Sequence, residues 1–297
     1  MPADRRSLPF LAAILGIALF SLMDAFMKNA SLAVGAYSAM LVRSAFGVVV
    51  MLPLWKLAGG AWPARAALRL HALRGTISAG MAITFFWGLI RLPLAEAIAL
   101  SFIAPLIALY LAAALLGERI EQRAVLASLL GLAGVLVIGA GRIGAGRFGP
   151  DAAWGIGAIL VSAVLYAFNL ILQRKQALLA GPREVTLFQM GFTLLILALF
   201  APWFAVLPDA RAAGDIFVSA LLAAAALMLL SWAYGKAETQ ALIPIEYTAF
   251  VWAALLGWAM FAEAVTGATL AGAGLIVLGC WLAARQSPAA PGEQTAL

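Results

Sequence analysis

Apolar runs of roughly 20 residues alternate with short polar or Gly/Pro-containing breaks along the whole chain, ten times over. About 20 helical residues are needed to cross some 30 Å of hydrocarbon. The runs therefore predict an all-α membrane protein with ten transmembrane helices, at 9–29, 34–55, 74–92, 95–116, 122–140, 152–174, 184–205, 216–236, 241–262 and 266–285. Breaks fall at Gly59–Gly60 with Pro63, at Leu92–Pro93, at Gly117–Glu118, in a Gly-rich stretch at 139–150, at Gly181–Pro182 and at Pro208. The first run follows Arg5 and Arg6, as a signal peptide would. It has the length of a full span, however, and Asp24 and Lys28 follow it with no cleavage pattern, so it is read as the first helix.

The second half of the chain is a faint copy of the first, displaced by 145 positions. Trp87 falls on Trp232, Arg91 on Lys236, Ile98 on Ile243 and Glu118 on Glu263. Each copy holds five predicted helices. An odd number means that the second copy enters the membrane upside down, the mark of two inverted-topology repeats. The expected organisation is a first repeat at 1–140, a linker at 141–151, a second repeat at 152–285 and a disordered cytoplasmic tail at 286–297. The stretch from Gly139 to Arg147 lacks the Lys-Ser/Thr ending of a phosphate loop and follows no strand, so it is expected to be a flexible linker. Gly131, Gly134 and Gly139 in span five, and Gly272, Gly274 and Gly279 in span ten, predict smooth faces for close helix contact, within the scaffold or in a dimer.

Composition removes the soluble alternatives. Apolar residues make up 65% of the chain and charged ones 11%, which leaves a soluble fold no surface to show water. The net charge of +6 is scattered through short loops and lacks the basic face that nucleic acid needs. Thirteen Lys and Arg fall on one set of loops and five on the other, with Arg43 inside a span completing the nineteen. That imbalance predicts a multi-pass membrane protein with both termini in the cytoplasm. The single cysteine, Cys280, excludes an internal disulfide and is read as a packing residue, and the lone His71 falls in a basic loop. No metal-ligand cluster, nucleophile set or cofactor fingerprint is present, so neither an enzyme nor a cofactor is expected. The expected partners are a small-molecule substrate and membrane lipids, with the chain a monomer or a homodimer.

A charge at the centre of a span costs at least about 2.5–3.5 kcal/mol, so each one needs a reason. Arg43 lies inside the second span, Glu246 inside the ninth and Asp24 towards the outer end of the first. Asp24 precedes Lys28 by one helical turn, which suits an interfacial ion pair as well as a place on the substrate path. Arg43 is either pinned to carbonyls or to Asp24, or it is a guanidinium that recognises a carboxylate. Glu246 follows Pro244, whose missing amide hydrogen loosens the helix, and there it could bind an amine or a proton. Glu96 opens the fourth helix, where a carboxylate favours the helix N-terminus. Phe85, Phe86, Trp87, Phe102, Tyr166, Trp232, Tyr234 and Tyr247 supply aromatic surface, and the repeat relates Trp87 to Trp232 and puts both near its axis. The copies differ at Asp24 against Asn169, at Ser101 against Glu246 and, at an offset of 146, at Arg43 against Gln189. Those differences are where a substrate is expected.

The stretch from Phe85 to Arg119, with Leu92-Pro93-Leu94-Ala95, Pro105 and the closing Leu116-Gly117-Glu118-Arg119, resembles the repeated signature of the drug/metabolite transporter superfamily, in its EamA-type branch. The second copy closes similarly on Phe261-Ala262-Glu263, but Phe250 stands where Pro105 would predict proline and Ala264 where Arg119 would predict arginine. The resemblance implies ten helices in two inverted repeats around a central cavity, and export of small metabolites, commonly amino acids or organic cations, by alternating access. On that reading Arg43, Trp87, Ser101, Phe102, Tyr166, Asn169, Trp232, Glu246 and Tyr247 would bind substrate, with Asp24 and Glu246 as coupling or ion-pair groups. The alternatives are a multidrug or organic-cation exporter with no need of Arg43, a non-transporting membrane scaffold, and a membrane enzyme acting on lipid-linked substrates.

Overall fold

The computed structural model of the chain describes residues 4–116, 122–144, 149–236, 242, 245 and 248–284. Among these residues there are helices and no strands, and each of the ten apolar runs falls on helix. α1 (Asp4–Leu57) holds the first two runs, α2 (Arg65–Leu89) the third, α3 (Leu94–Ser101) and α4 (Ile103–Leu116) the fourth, and α5 (Gln122–Gly144) the fifth. α6 (Pro150–Leu179) holds the sixth, α7 (Pro182–Ala198) and the short α8 (Ala201–Phe204) the seventh, α9 (Ala210–Lys236) the eighth, α10 (Thr248–Phe261) the ninth and α11 (Gly267–Ala284) the tenth. Three stretches, Leu8–Leu57, Pro150–Leu179 and Ala210–Lys236, are long and apolar enough to cross a membrane, and the first is long enough to cross twice.

It does turn back on itself. Gly35 breaks the helix with φ +79° and ψ 153°, a backbone conformation that glycine alone adopts without strain. In a continuous helix, residues 20 apart would sit about 30 Å apart. Here Nη1 of Arg43 reaches the sulfur of Met23 at 3.0 Å, so the two arms fold against each other.

Helix boundaries carry the same repeat as the residues. Arg65 and Ala210, which open α2 and α9, lie 145 positions apart, as do Gln122 and Gly267, which open α5 and α11. Gly35 is matched by Ala180, the extended residue (ψ 151°) that ends α6. Pairing follows suit: the first arm of α1 packs along α9 as α6 packs along α2, and α5 packs along α11. In that last pair Gly134 lies against Gly272 and Ile276, while Gly272 lies against Ile138 and Gly134. Numbers rising on one helix as they fall on the other mean antiparallel helices. A Cβ on Gly134 would come within 2.5 Å of the Gly272 carbonyl oxygen, so glycine sets the closeness of this crossing. Gly139 and Gly274 face open space and take no part in it.

Two expectations of element extent are corrected. The Gly-rich stretch is not a linker from residue 141: α5 runs on to Gly144 and α6 begins at Pro150, which leaves a much shorter connection. The third helix starts at Arg65, nine positions before its apolar run, so His71 lies in a helix and is fully buried, not in a loop.

Candidate functional site

A cavity of about 230 Å³ opens where α1, α2, α3, α6, α7 and α9 converge. That is an order of magnitude more room than one water needs. Ser21 and Asp24 from the first arm of α1, Arg43 and Ser44 from the second, and Arg74 and Ser78 from α2 line it. Ser162, Tyr166, Asn169 and Gln173 come from α6, and Gln189 and Thr193 from α7. Phe20, Phe85, Phe86 and Phe102, with Met23, Met40, Met81 and Met190, complete a largely apolar wall.

Of the six residues at which the two copies diverge, Asp24, Asn169, Arg43, Gln189 and Ser101 line this one cavity, together with Phe102 and Tyr166, while Glu246 lies outside the described residues. Asp24 and Arg43 attract each other here. Arg43 directs Nη1 to Met23 Sδ at 3.0 Å and Nη2 to Met40 Sδ at 2.9 Å, and its guanidinium lies 5.7 Å from the centre of the Phe86 ring. Thioether sulfur is a weak acceptor. Arg43 is not pinned to carbonyls: its hydrogen bonds go to thioethers, and the carboxylate that attracts it is Asp24.

Arg74 is the residue that sequence reasoning missed. It had been counted among the loop cations, yet it is 1% exposed and lines the cavity. Its Nε donates to Asn169 Oδ1 at 2.8 Å, Nη1 to Gln176 Oε1 at 2.6 Å and Nη2 to Gln173 Oε1 at 3.0 Å. Residues 169, 173 and 176 share one face of α6. The network continues from Gln176 Nε2 to His71 Nδ1 at 2.6 Å and from His71 Nε2 to Glu184 Oε1 at 3.1 Å. On the other side Ser78 donates to Asn169 Oδ1 at 3.3 Å and accepts from Gln189 Nε2 at 3.2 Å. Gln189 Oε1 is buried and has no partner among the described residues. The signal available in the sequence was the polar spacing Asn169, Gln173, Gln176 on an otherwise apolar helix.

Two further expectations are corrected. Asp24 does not pair with Lys28. Lys28 points away from the cavity, where it forms a partly buried ion pair with Glu263 and donates to the Leu92 carbonyl at 2.8 Å. The other oxygen of Glu263 accepts from the Leu94 amide at 2.7 Å, at the first residue of α3. Trp87 and Trp232 do not reach the cavity: each is 37% exposed on the outer surface, and Arg91 stacks over Trp87 at 3.5 Å. Glu96 sits in the first turn of α3 as expected, but it is buried. Glu246, Tyr247, Pro244 and Glu118 lie outside the described residues.

The model of the EamA-like transporter family matches the chain twice, at residues 7–140 and 153–285. The Pseudopaline exporter CntI of Pseudomonas aeruginosa strain UCBPP-PA14 is 26% identical over 271 residues, covering 91% of this chain and 93% of its own. The same exporter from strain PAO1 matches equally. A crystal structure superposes with a TM-score of 0.64 at 25% identity, covering 93% of this chain and 96% of its own.

Proposed function

The chain belongs to the EamA-like transporter family, and we propose that it exports amino acids or similar small metabolites across the inner membrane by alternating access. The observation that carries this reading is the cavity itself. It sets a carboxylate (Asp24) and a weakly held guanidinium (Arg43) into one apolar chamber. Opposite charges facing one pocket complement a zwitterion, whose amine and carboxylate cannot both be satisfied by an apolar wall. Ser101, Phe102, Tyr166 and Asn169 then shape the chamber. The relative's name, an exporter of a small metabolite, supports the direction.

Two inverted five-helix repeats, at 1–140 and 152–285, would supply the motion by rocking against each other. The shared 145-residue offset of helix starts and the antiparallel α5–α11 pair support that topology. The excess of Lys and Arg on one set of loops supports cytoplasmic termini.

An organic-cation exporter is the second reading, favoured by Asp24 among Phe20, Phe85, Phe86 and Phe102. Solute counterflow in proteoliposomes separates the two. Arg43→Ala should abolish exchange of zwitterionic amino acids if the first reading holds, and should leave exchange of a quaternary amine intact if the second does. An absence of flux for either class would leave the scaffold alternative.

A further inference from the structure

Arg74 is satisfied in hydrogen bonds but not in charge. Its three acceptors are neutral amide oxygens, and the ion pairs among the described residues are Lys28–Glu263 and His71–Glu184. A buried guanidinium without a counter-charge is costly, and three amides use three of its five N–H donors. Among the described residues, the cavity it lines holds two guanidiniums, Arg43 and Arg74, against the carboxylate of Asp24. A zwitterion that satisfies Asp24 and Arg43 leaves Arg74 unmatched. Gln189 Oε1 adds a buried acceptor in want of an N–H donor.

Donor logic also fixes the protonation of the chain behind Arg74. Arginine only donates, so Gln176 must turn its oxygen to Arg74 and its NH₂ to His71 Nδ1. Nδ1 is then an acceptor without a proton, and His71 donates from Nε2 to Glu184. A proton on Nδ1 would require Gln176 to flip, setting its NH₂ against the Arg74 donors. Protonation of His71 and the Gln176–Arg74 bond therefore exclude each other. The groups facing His71 are Glu184 and the stacked Phe188 ring (5.2 Å) from α7, Gln176 from α6 and the charge of Arg74 on its own helix.

We propose that Arg74 binds a second carboxylate of the solute, so that the substrate class is an amine-bearing dicarboxylate, and that this binding is linked to uptake of one proton at His71 Nδ1. The carboxylate, entering beside Asn169 and Gln173, draws the guanidinium off Gln176 Oε1; the freed amide turns its oxygen to His71, and Nδ1 accepts a proton from solvent. By reciprocity, acidification favours binding. The proposal rests on the cavity reading above and narrows it.

The test is calorimetric titration of the purified full-length chain with α-amino dicarboxylates from aspartate to 2-aminopimelate, each against its ω-amide, in two buffers of different ionisation enthalpy. At least one diacid should bind roughly tenfold or more tighter than its amide, as a charged hydrogen-bonded pair implies, with net proton uptake. Arg74→Gln should bring that ratio to about one while amide binding persists, and Arg74→Lys, which keeps the charge, should preserve a reduced preference. Gln176→Leu should keep the preference and lose the proton uptake. Equal binding of acid and amide by the unaltered chain, or a preference that survives Arg74→Gln, overturns the second carboxylate site. Proton release, or none, overturns the linkage. If the amides bind and no diacid does, only this proposal fails; if nothing in the series binds, the zwitterion reading fails with it.

Discussion

Lys28 and Arg74 are both buried cations, and the molecule treats them in opposite ways. Lys28 has a full counter-charge in Glu263, a carbonyl at Leu92, and the Phe261 ring 4.9 Å away. The same Glu263 meets the open N-terminus of α3 through the Leu94 amide, so one carboxylate neutralises a lysine and caps a helix that belongs to the other half of the chain. That cluster is closed. Among the described residues Arg74 is held by neutral amides, and its charge faces a chamber. A buried charge completed by the protein marks structure, while one left incomplete beside a cavity marks a place for something else.

The largest expected effect breaks the closed side. Glu263→Gln strands Lys28 and weakens the α3 cap, and should destabilise the chain by about 3–5 kcal/mol, the range for removing one partner of a buried pair. Equilibrium unfolding in detergent measures it. A loss near zero would mean that water already reaches the pair. Replacing both residues, as Lys28→Met with Glu263→Gln, should recover part of that loss, since no charge is then left alone.

Arg43 sharpens the open side. Arg43→Ala removes a guanidinium whose hydrogen bonds go to two thioethers but leaves Asp24 without its opposite charge, so the stability loss should be about 1–3 kcal/mol, smaller than that at Glu263. Affinity for carboxylate-bearing solutes should fall by roughly tenfold or more. Counterflow and unfolding measured on the same preparation check both; a large stability loss with transport intact would make Arg43 a structural residue.

The smallest effect is expected at the tryptophans. Trp87→Phe and Trp232→Phe should change transport by less than about twofold, because both rings face outward. A tenfold loss from either would show that the cavity extends further than its present walls.

The tryptophan pair also shows where sequence reasoning over-reached. A match between copies shows that two positions are equivalent, but it says nothing about their depth: equivalent residues can both face lipid. Asp24, Asn169, Arg43 and Gln189, which differ between the copies, all line one chamber. His71 and Arg74 were illegible for another reason. His71 precedes the apolar run of its helix and Arg74 stands at its very start, so both look like loop residues, and only the longer α2, packed along α6 and α7, buries them.

By itself the sequence determined the helices, their approximate limits and the two-copy plan, because apolar length and periodicity are local properties that every stretch of chain carries. It also determined which charges must be explained, since the cost of a charge in hydrocarbon follows from its residue type and position. Only the tertiary structure decided which charge meets which. Lys28 and Glu263 are 235 positions apart, and Arg74 finds its amides 95 to 102 positions away. Lys28 had an acidic neighbour one turn away and took a distant one, because the folded bundle points it out of the chamber and leaves Asp24 inside.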